Sequence, residues 1–354
     1  MKRAFRSFSR REWVLGGACL VWLGWVFWRH STLPSLGDLA FLGELRAGLS
    51  EAHGAQAFAN LTAALPAWSW ALGALVTMAA LGKRLSGWLG APPMNRALGL
   101  AQAFGLGMIA LTTLWLGLGL NGLWERPVFV GSALGGLAWG VRSLTRRSPV
   151  RPPRMPFWAW GPALLAGLLL LLALAQSLVP EAYFDGLVYH LSVPRFWLDR
   201  HGLLDDPTCF HSYYPFGAEI YFLNGFWSGD PAGAKLLNTA SLVLAALAAG
   251  GWAAEAAGPA WGFLTGASLF FVPWVSTTVW TTQNEVVLGL FLLLCSYCAK
   301  RWAEADPAAR RPWAWGMGLM GGAAWTVKYT ALPAFVALAA ALWLRDRRVF
   351  SRER

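Results

Sequence analysis

Residues 161–179 read GPALLAGLLLLLALAQSLV: an unbroken apolar run without a single charge. A run of this length and purity matches the hydrocarbon core of a bilayer, which an α-helix crosses in about 20 residues. The next segment, residues 181–202, reads EAYFDGLVYHLSVPRFWLDRHG and packs an Asp, a Tyr, a His and an Arg into a short space. The first stretch decides the fold class, and the second raises the question of function.

Working outward, the composition agrees with a membrane chain. Of 354 residues, 56% are hydrophobic and only 13% charged, and the mean hydropathy is +0.44. Soluble domains carry about 25% charged residues. The 23 Trp fit as well, because Trp favours the headgroup level. Apolar runs of spanning length are Glu12–Trp28, Leu65–Leu81, Ala97–Leu123, Val128–Val141, Phe157–Val179, Ala234–Ala256, Ala260–Trp280, Glu285–Lys300 and Trp313–Thr330, with a shorter last one at Ala331–Leu344. The expected fold is therefore all-α: a polytopic integral membrane protein of about ten transmembrane helices.

A net charge of +11 suggests nucleic acid until the charges are placed. With the N-terminus inside and the spans alternating, 22 of the 29 basic residues fall on the inner side. Such an asymmetry is the positive-inside signature, so the charge reports topology, and nucleic acid is not an expected partner. Both termini are then expected in the cytoplasm.

The same bias assigns Pro215–Trp227. Its 13 residues reach only about 20 Å as a helix, too short for a core of about 30 Å. Were it to span, every later basic loop would flip outward. It is expected to lie at the outer surface or dip into it as an interfacial helix. The outer loop then runs from about 180 to 233. Two regions follow: 1–155, an N-terminal four-helix membrane region, and 156–354, a second membrane module, separated by the linker RRSPVRPPRMP.

Cysteine adds little. Cys209 is alone in its outer loop, so no disulfide is expected there, and the C-x-x-C of Cys295 and Cys298 sits inside an apolar helix, where small core residues are expected.

Polar residues collect at one end of the second module. Asp185, Tyr189, His190 and Arg195 follow its first span. His211, Tyr214 and Glu219 come from HSYYPFGAEI. Asn284 and Glu285 open one span, and Lys328 and Tyr329 close another. Polar side chains at membrane level are costly and usually functional. Each also has a plainer reading. Asp185 would cap a helix starting at Gly186, Lys328 would snorkel to water, Glu285 would suit the positive end of a helix dipole, and Glu219 would face water. Asp205-Asp206 reads as a solvated turn, with metal binding as the alternative. The chain has no G-x-S-x-G, H-E-x-x-H, Walker P-loop or C-x-x-C-H motif. An outward acid acting as base on a hydroxyl, with a cation to receive a phosphate leaving group, suits transfer from a lipid-linked phosphate donor.

Four elements in order carry a resemblance: AYFDGLVYHL, YYPFGAEIYFLNGFWSGD, FFVPWVSTTVWTTQNEVVLGLFLLL and WAWGMGLMGGAAWTVKYTALP. Over about residues 157 to 344 they resemble the GT-C superfamily of membrane glycosyltransferases, the polyprenyl-phosphate-sugar-dependent group that includes protein O-mannosyltransferases and aminoarabinose transferases. The resemblance implies a hexosyl- or pentosyltransferase of the inner membrane and cell envelope, active on the outward, periplasmic face. The donor would be a polyprenyl-phosphate sugar, the acceptor a lipid, glycan or protein, with membrane lipids around it. It implies Asp185 as the catalytic base or acceptor-binding acid and Lys328, with Arg195, at the donor phosphate. Glu219 and Glu285 would be secondary acids of the cavity. Asn284, Tyr189, His190, His211, Tyr214 and Tyr329 would line the substrate site. No cofactor is required, and a divalent metal is admitted. The chain departs from the family pattern in three places. Asp185 is followed by Gly, Asn284-Glu285 stands where an Asp is expected, and the sequence stops at RDRRVFSRER where members commonly continue. That last departure implies a C-terminally shortened or compact member. Two rival functions remain: a transporter or flippase of lipid-linked intermediates, and a non-catalytic membrane scaffold.

Overall fold

The structure, a computed structural model, describes residues 54–92, 94–144 and 160–345. Among them every regular element is helical and none is a strand. The helices are α1 (Gly54–Trp88), α2 (Arg96–Leu120), α3 (Arg126–Leu144), α4 (Trp160–Ser177), α5 (Ser192–Asp199), α6 (Gly217–Phe226), α7 (Pro231–Ala257), α8 (Pro259–Ser268), α9 (Pro273–Thr278), α10 (Glu285–Glu304), α11 (Arg311–Val327) and α12 (Leu332–Arg345).

Five stretches are long and apolar enough to cross a membrane: Leu61–Trp88, Arg96–Leu120, Trp160–Ser177, Pro231–Ala257 and Glu285–Glu304. The expectation of about ten spans is cut to these among the described residues, for three reasons. Arg126–Leu144 has the length but not the apolarity. Arg311–Val327 and Leu332–Arg345, of 17 and 14 residues, are short. Ala260–Trp280 is not one helix at all. The expected first span, Glu12–Trp28, lies outside the described residues.

Proline explains the break in Ala260–Trp280. Pro273 has no N–H to continue a helix, and it drives the preceding residue out of the α region. Val272 is extended, at ψ 114°. The chain leaves α8, tightens at Leu269–Phe271 and restarts at Pro273 as α9. The carbonyls freed beyond α9 are met by α7. Asn238 Nδ2 donates to Thr278 O (3.2 Å) and Thr281 O (3.0 Å), and Thr239 Oγ1 donates to Val279 O (3.2 Å). Buried irregular backbone requires such internal partners.

Helix α7 is the hub. Asp230 caps it by accepting from Ala232 N at 2.8 Å, and Pro231 supplies a preset first turn. It packs against α2, α4, α6, α8 and α10. The α6–α7 contact is backbone against backbone: a Cβ on Gly225 would come within 2.3 Å of the Gly233 carbonyl carbon. Helix α2, on the N-terminal side of the linker, also packs on α6, α7, α10 and α11, and Asn60–Arg354 forms one compact unit.

One local expectation changes and one holds. Helix α6 is not a surface-lying interfacial helix: Ala218 through Phe226 are all buried, so it offers no face to water or lipid. The short helix of this loop with one exposed polar side is α5, which buries Val193, Pro194 and Trp197 and exposes Arg195 and Asp199. Cys295 and Cys298 are buried free thiols on the face of α10 that meets α11. A Cβ on Gly316 would lie 2.8 Å from Cys298 Sγ, so this seam requires small groups on both sides.

Candidate active site

The turn after α4 places the first group. Leu191 N reaches back to Gly186 O at 2.9 Å, a five-residue step, so Gly186–His190 is a single π-helical turn. Such turns re-aim side chains and recur at functional sites. Asp185 stands just before it, in helical conformation, and makes no capping bond. The helix-cap reading of Asp185 is therefore corrected: the helix has already begun at Phe184, and the carboxylate acts on the Tyr189 phenol one turn on, raising its pKa.

Tyr189 is the centre of the cluster. Its ring stacks on His211 (4.4 Å between centroids, 9° between planes) and lies edge-on to Tyr214 at 6.3 Å. Tyr214 in turn meets Tyr329 edge-on at 6.1 Å. Burial, then the charges of Asp185, Glu219 and Glu285 together with the Asp185 hydrogen bond, push the Tyr189 phenol well above its ordinary range. It is a neutral hydrogen-bonding group at any physiological pH.

Beneath it lies a buried network. His190 Nδ1 is 2.5 Å from Glu219 Oε1, and both side chains are almost fully enclosed. Asn284 Nδ2 donates to the same oxygen at 3.4 Å. Glu219 is thus a core acid and does not face water; the burial of α6 decides this. Four acceptor oxygens here have no hydrogen-bond partner: Glu219 Oε2, Gln283 Oε1, Asn284 Oδ1 and Glu285 Oε2.

Lys328 stands where α11 stops, in extended conformation, and donates to Glu285 Oε1 at 2.7 Å. Each of these two side chains is about one-third exposed, at 33% and 35%. The pair is open to an incoming ligand.

Four segments far apart in the sequence therefore meet as expected: Asp185, Tyr189 and His190; His211, Tyr214 and Glu219; Asn284 and Glu285; Lys328 and Tyr329. Arg195 does not join them. Its guanidinium bonds Asp199 at 3.2 Å and lies against Gly229, on the exposed side of α5, which removes it from the phosphate role. Asp206 accepts from Thr208 N and Oγ1 at 2.9 and 2.6 Å, a closed turn, as the solvated reading of Asp205-Asp206 has it. Among the described residues no group of three or more His, Cys, Asp and Glu is placed to hold a metal ion.

An apolar groove of about 570 Å³ lies between α2, α6 and α11; a second, of about 310 Å³ between α7, α9 and α10, has Glu285 in its lining. Met108, Leu116, Ile220, Leu319 and Trp325 line the first, as do Pro215 and Val327. Two of its lining residues are chain neighbours of the cluster: Pro215 follows Tyr214, and Val327 precedes Lys328.

No protein-family model, curated protein or solved structure matches this chain. Its chemistry is therefore read from the site alone. Three phenols, three carboxylates, two imidazoles and an ammonium meet in one cluster, and apolar grooves lie beside it.

Sequence reading missed Glu181, Lys235, Asn238 and Thr282, all buried. The one available signal was Lys235, a cation in the second turn of an apolar span, where an unpaired charge is not tolerated.

Proposed function

We propose that this protein is a membrane glycosyltransferase that moves a sugar from a polyprenyl-phosphate donor to a hydroxyl acceptor at the outward face of the membrane. One observation carries the reading. Val327 is among the residues that line the larger apolar groove, and the next residue in the chain is Lys328, an accessible ammonium. A lipid tail in the groove would bring its phosphate to that cation.

In this reading Asp185 takes the proton of the acceptor hydroxyl. The freed oxygen attacks the anomeric carbon, the bond from that carbon to the phosphate oxygen breaks, and its electron pair leaves with the phosphate. Lys328 stabilises the charge that develops there. A positioned base contributes about 10²- to 10⁴-fold. Tyr189, His211, Tyr214 and Tyr329 offer ring faces and hydroxyls to the sugar. In this reading the cluster lies at the outward face, as expected from the basic loops of the sequence.

The test uses purified protein in nanodiscs, a panel of polyprenyl-phosphate sugars, and acceptor membranes from cells lacking the protein. Free polyprenyl phosphate is the readout. Wild type should release it from at least one donor, and Asp185→Asn and Lys328→Ala should abolish release while folding normally. Equal release by wild type and both variants, or none from any donor, ends the transferase reading and brings the scaffold reading forward.

A further inference from the structure

Glu181 precedes Asp185 by one turn, and all of its bonding capacity is used. Oε1 accepts from the backbone N–H groups of Ala182 (3.1 Å) and Tyr183 (3.0 Å). Oε2 accepts from Thr282 N (3.1 Å) and Thr282 Oγ1 (3.3 Å). The Lys235 ammonium lies 4.0 Å from Oε2 and donates to Val179 O at 2.7 Å. The Lys235 side chain is wholly enclosed and that of Glu181 almost so.

These bonds join three parts of the chain. One is the segment that carries Asp185. The second is the turn at Thr282, which runs into Asn284 and Glu285, the residue that holds Lys328. The third is the hub helix α7. There is no slack at the joint: a Cβ on Gly186 would come within 2.9 Å of Glu181 Cδ and 3.0 Å of Thr282 Oγ1. Glu219 and Glu285 each keep an oxygen without a partner, whereas both oxygens of Glu181 are bonded. Glu181 is arranged to hold backbone, while the other two acids are left able to receive a ligand.

We infer that Glu181 and Lys235 are positioning residues for the transfer reaction: one buried carboxylate, neutralised by one buried ammonium, fixes Asp185 relative to the Glu285–Lys328 pair. The inference rests on the transferase reading. Neither side chain is placed to touch a substrate. They act through the two segments that they tie together.

The experiment must separate positioning from simple stabilisation of the fold. Glu181→Gln alone leaves the Lys235 charge buried without its counter-ion, and that variant is expected to insert poorly. The informative variant is the double, Glu181→Gln with Lys235→Met, which removes both charges and keeps both shapes. A Gln carries one acceptor oxygen, so it cannot serve Thr282 and the Ala182–Tyr183 amides together. The double variant should melt above Glu181→Gln and only several degrees below wild type, yet its kcat should fall about 100-fold with the donor KM almost unchanged, the pattern of a misplaced base.

A second readout is independent of transfer. Spin labels at Leu187 and at Gly289, both exposed and the second one turn beyond Glu285 on α10, report the separation of the two segments in protein whose Cys19 and Cys209 have been changed to Ser. The distance distribution should be narrow in wild type and broad in the double variant. An unchanged distribution overturns the clamp whatever the transfer assay gives, and so does a kcat restored along with stability. If wild type transfers nothing from any donor, the transferase reading falls instead, and the distances alone then decide whether the clamp exists.

Discussion

Gly217 touches the end of α11, and this contact can be used to move Lys328 without altering it. A Cβ on Gly217 would lie 2.4 Å from Thr326 Oγ1 and 2.9 Å from both the carbonyl carbon and the oxygen of Thr326. The hydroxyl can rotate away, but the carbonyl cannot. Carbon–oxygen contacts settle near about 3.3–3.6 Å. Gly217→Ala must therefore push the end of α11 back by roughly half an ångström, and Lys328 follows two residues on. Overpacking of this kind costs about 1–3 kcal/mol. At about 2–4 °C per kcal/mol, the melting temperature should fall by several degrees. A displacement of about 1 Å in a reacting group costs roughly 100-fold, so half of it should cost about tenfold in transfer rate. Both quantities are measured on the same nanodisc preparation, by thermal unfolding and by release of polyprenyl phosphate. Gly117→Ala is the control: nothing lies within 4 Å of that Cβ, and the added helix propensity should leave the protein as stable as before or slightly more so. A Gly217→Ala protein with wild-type melting and wild-type rate would refute the packing argument and, with it, the coupling of α6 to Lys328.

Three further outcomes are expected. Glu285→Gln removes the counter-ion of a half-open Lys328, which leaves the ammonium free for phosphate; an ion pair of this exposure is worth about 0.2–1 kcal/mol, so the donor KM should fall by up to about fivefold, and a rise would mean that Glu285 orients Lys328. Asn224→Leu strips the buried Trp115 Nε1–H of its acceptor, at 2.8 Å, and should cost about 1–3 kcal/mol in thermal unfolding with no change in donor KM. The Tyr189 phenol is held above its ordinary value by burial and by nearby carboxylates. Above about pH 10 the unfolded chain gives up this proton and the folded chain keeps it, so stability falls as pH rises, and Tyr189→Phe should lessen that alkaline loss in a series of melts.

The helical class and the polar cluster were legible in the sequence because both rest on local pattern. The apolar run at 161–179 needs only its length, and Asp185, Glu219, Glu285 and Lys328 betray themselves as charges beside such runs. What failed was whatever depends on who packs against whom. Pro215–Trp227 looked interfacial because it is short and apolar, but shortness is equally the mark of a helix enclosed by others, and α6 is enclosed by α2, α5, α7 and α11. Ala260–Trp280 looked like a span because hydropathy does not register a backbone break, although Pro273 was in plain view. Glu181 and Lys235 are far apart in the chain, and neither has a motif around it; only the fold makes them a pair.

The break at Pro273 also bears on how such a chain is made. Backbone carbonyls without partners cost several kcal/mol each in hydrocarbon. The side chains that satisfy the carbonyls of Val279 and Thr281 are Thr239 and Asn238, which lie earlier in the chain, whereas Thr278 O also accepts from Thr281 N and Oγ1. Synthesis runs from the N-terminus, so α7 is already in place when the broken segment emerges. The irregular turn that presents Asn284 and Glu285 is then born beside its own acceptor-satisfying wall and need never sit unpaired in lipid. Moving Asn238 and Thr239 to a helix made later would leave the native contacts unaltered on paper, yet would ask the membrane to hold an unsatisfied loop until its partners arrived.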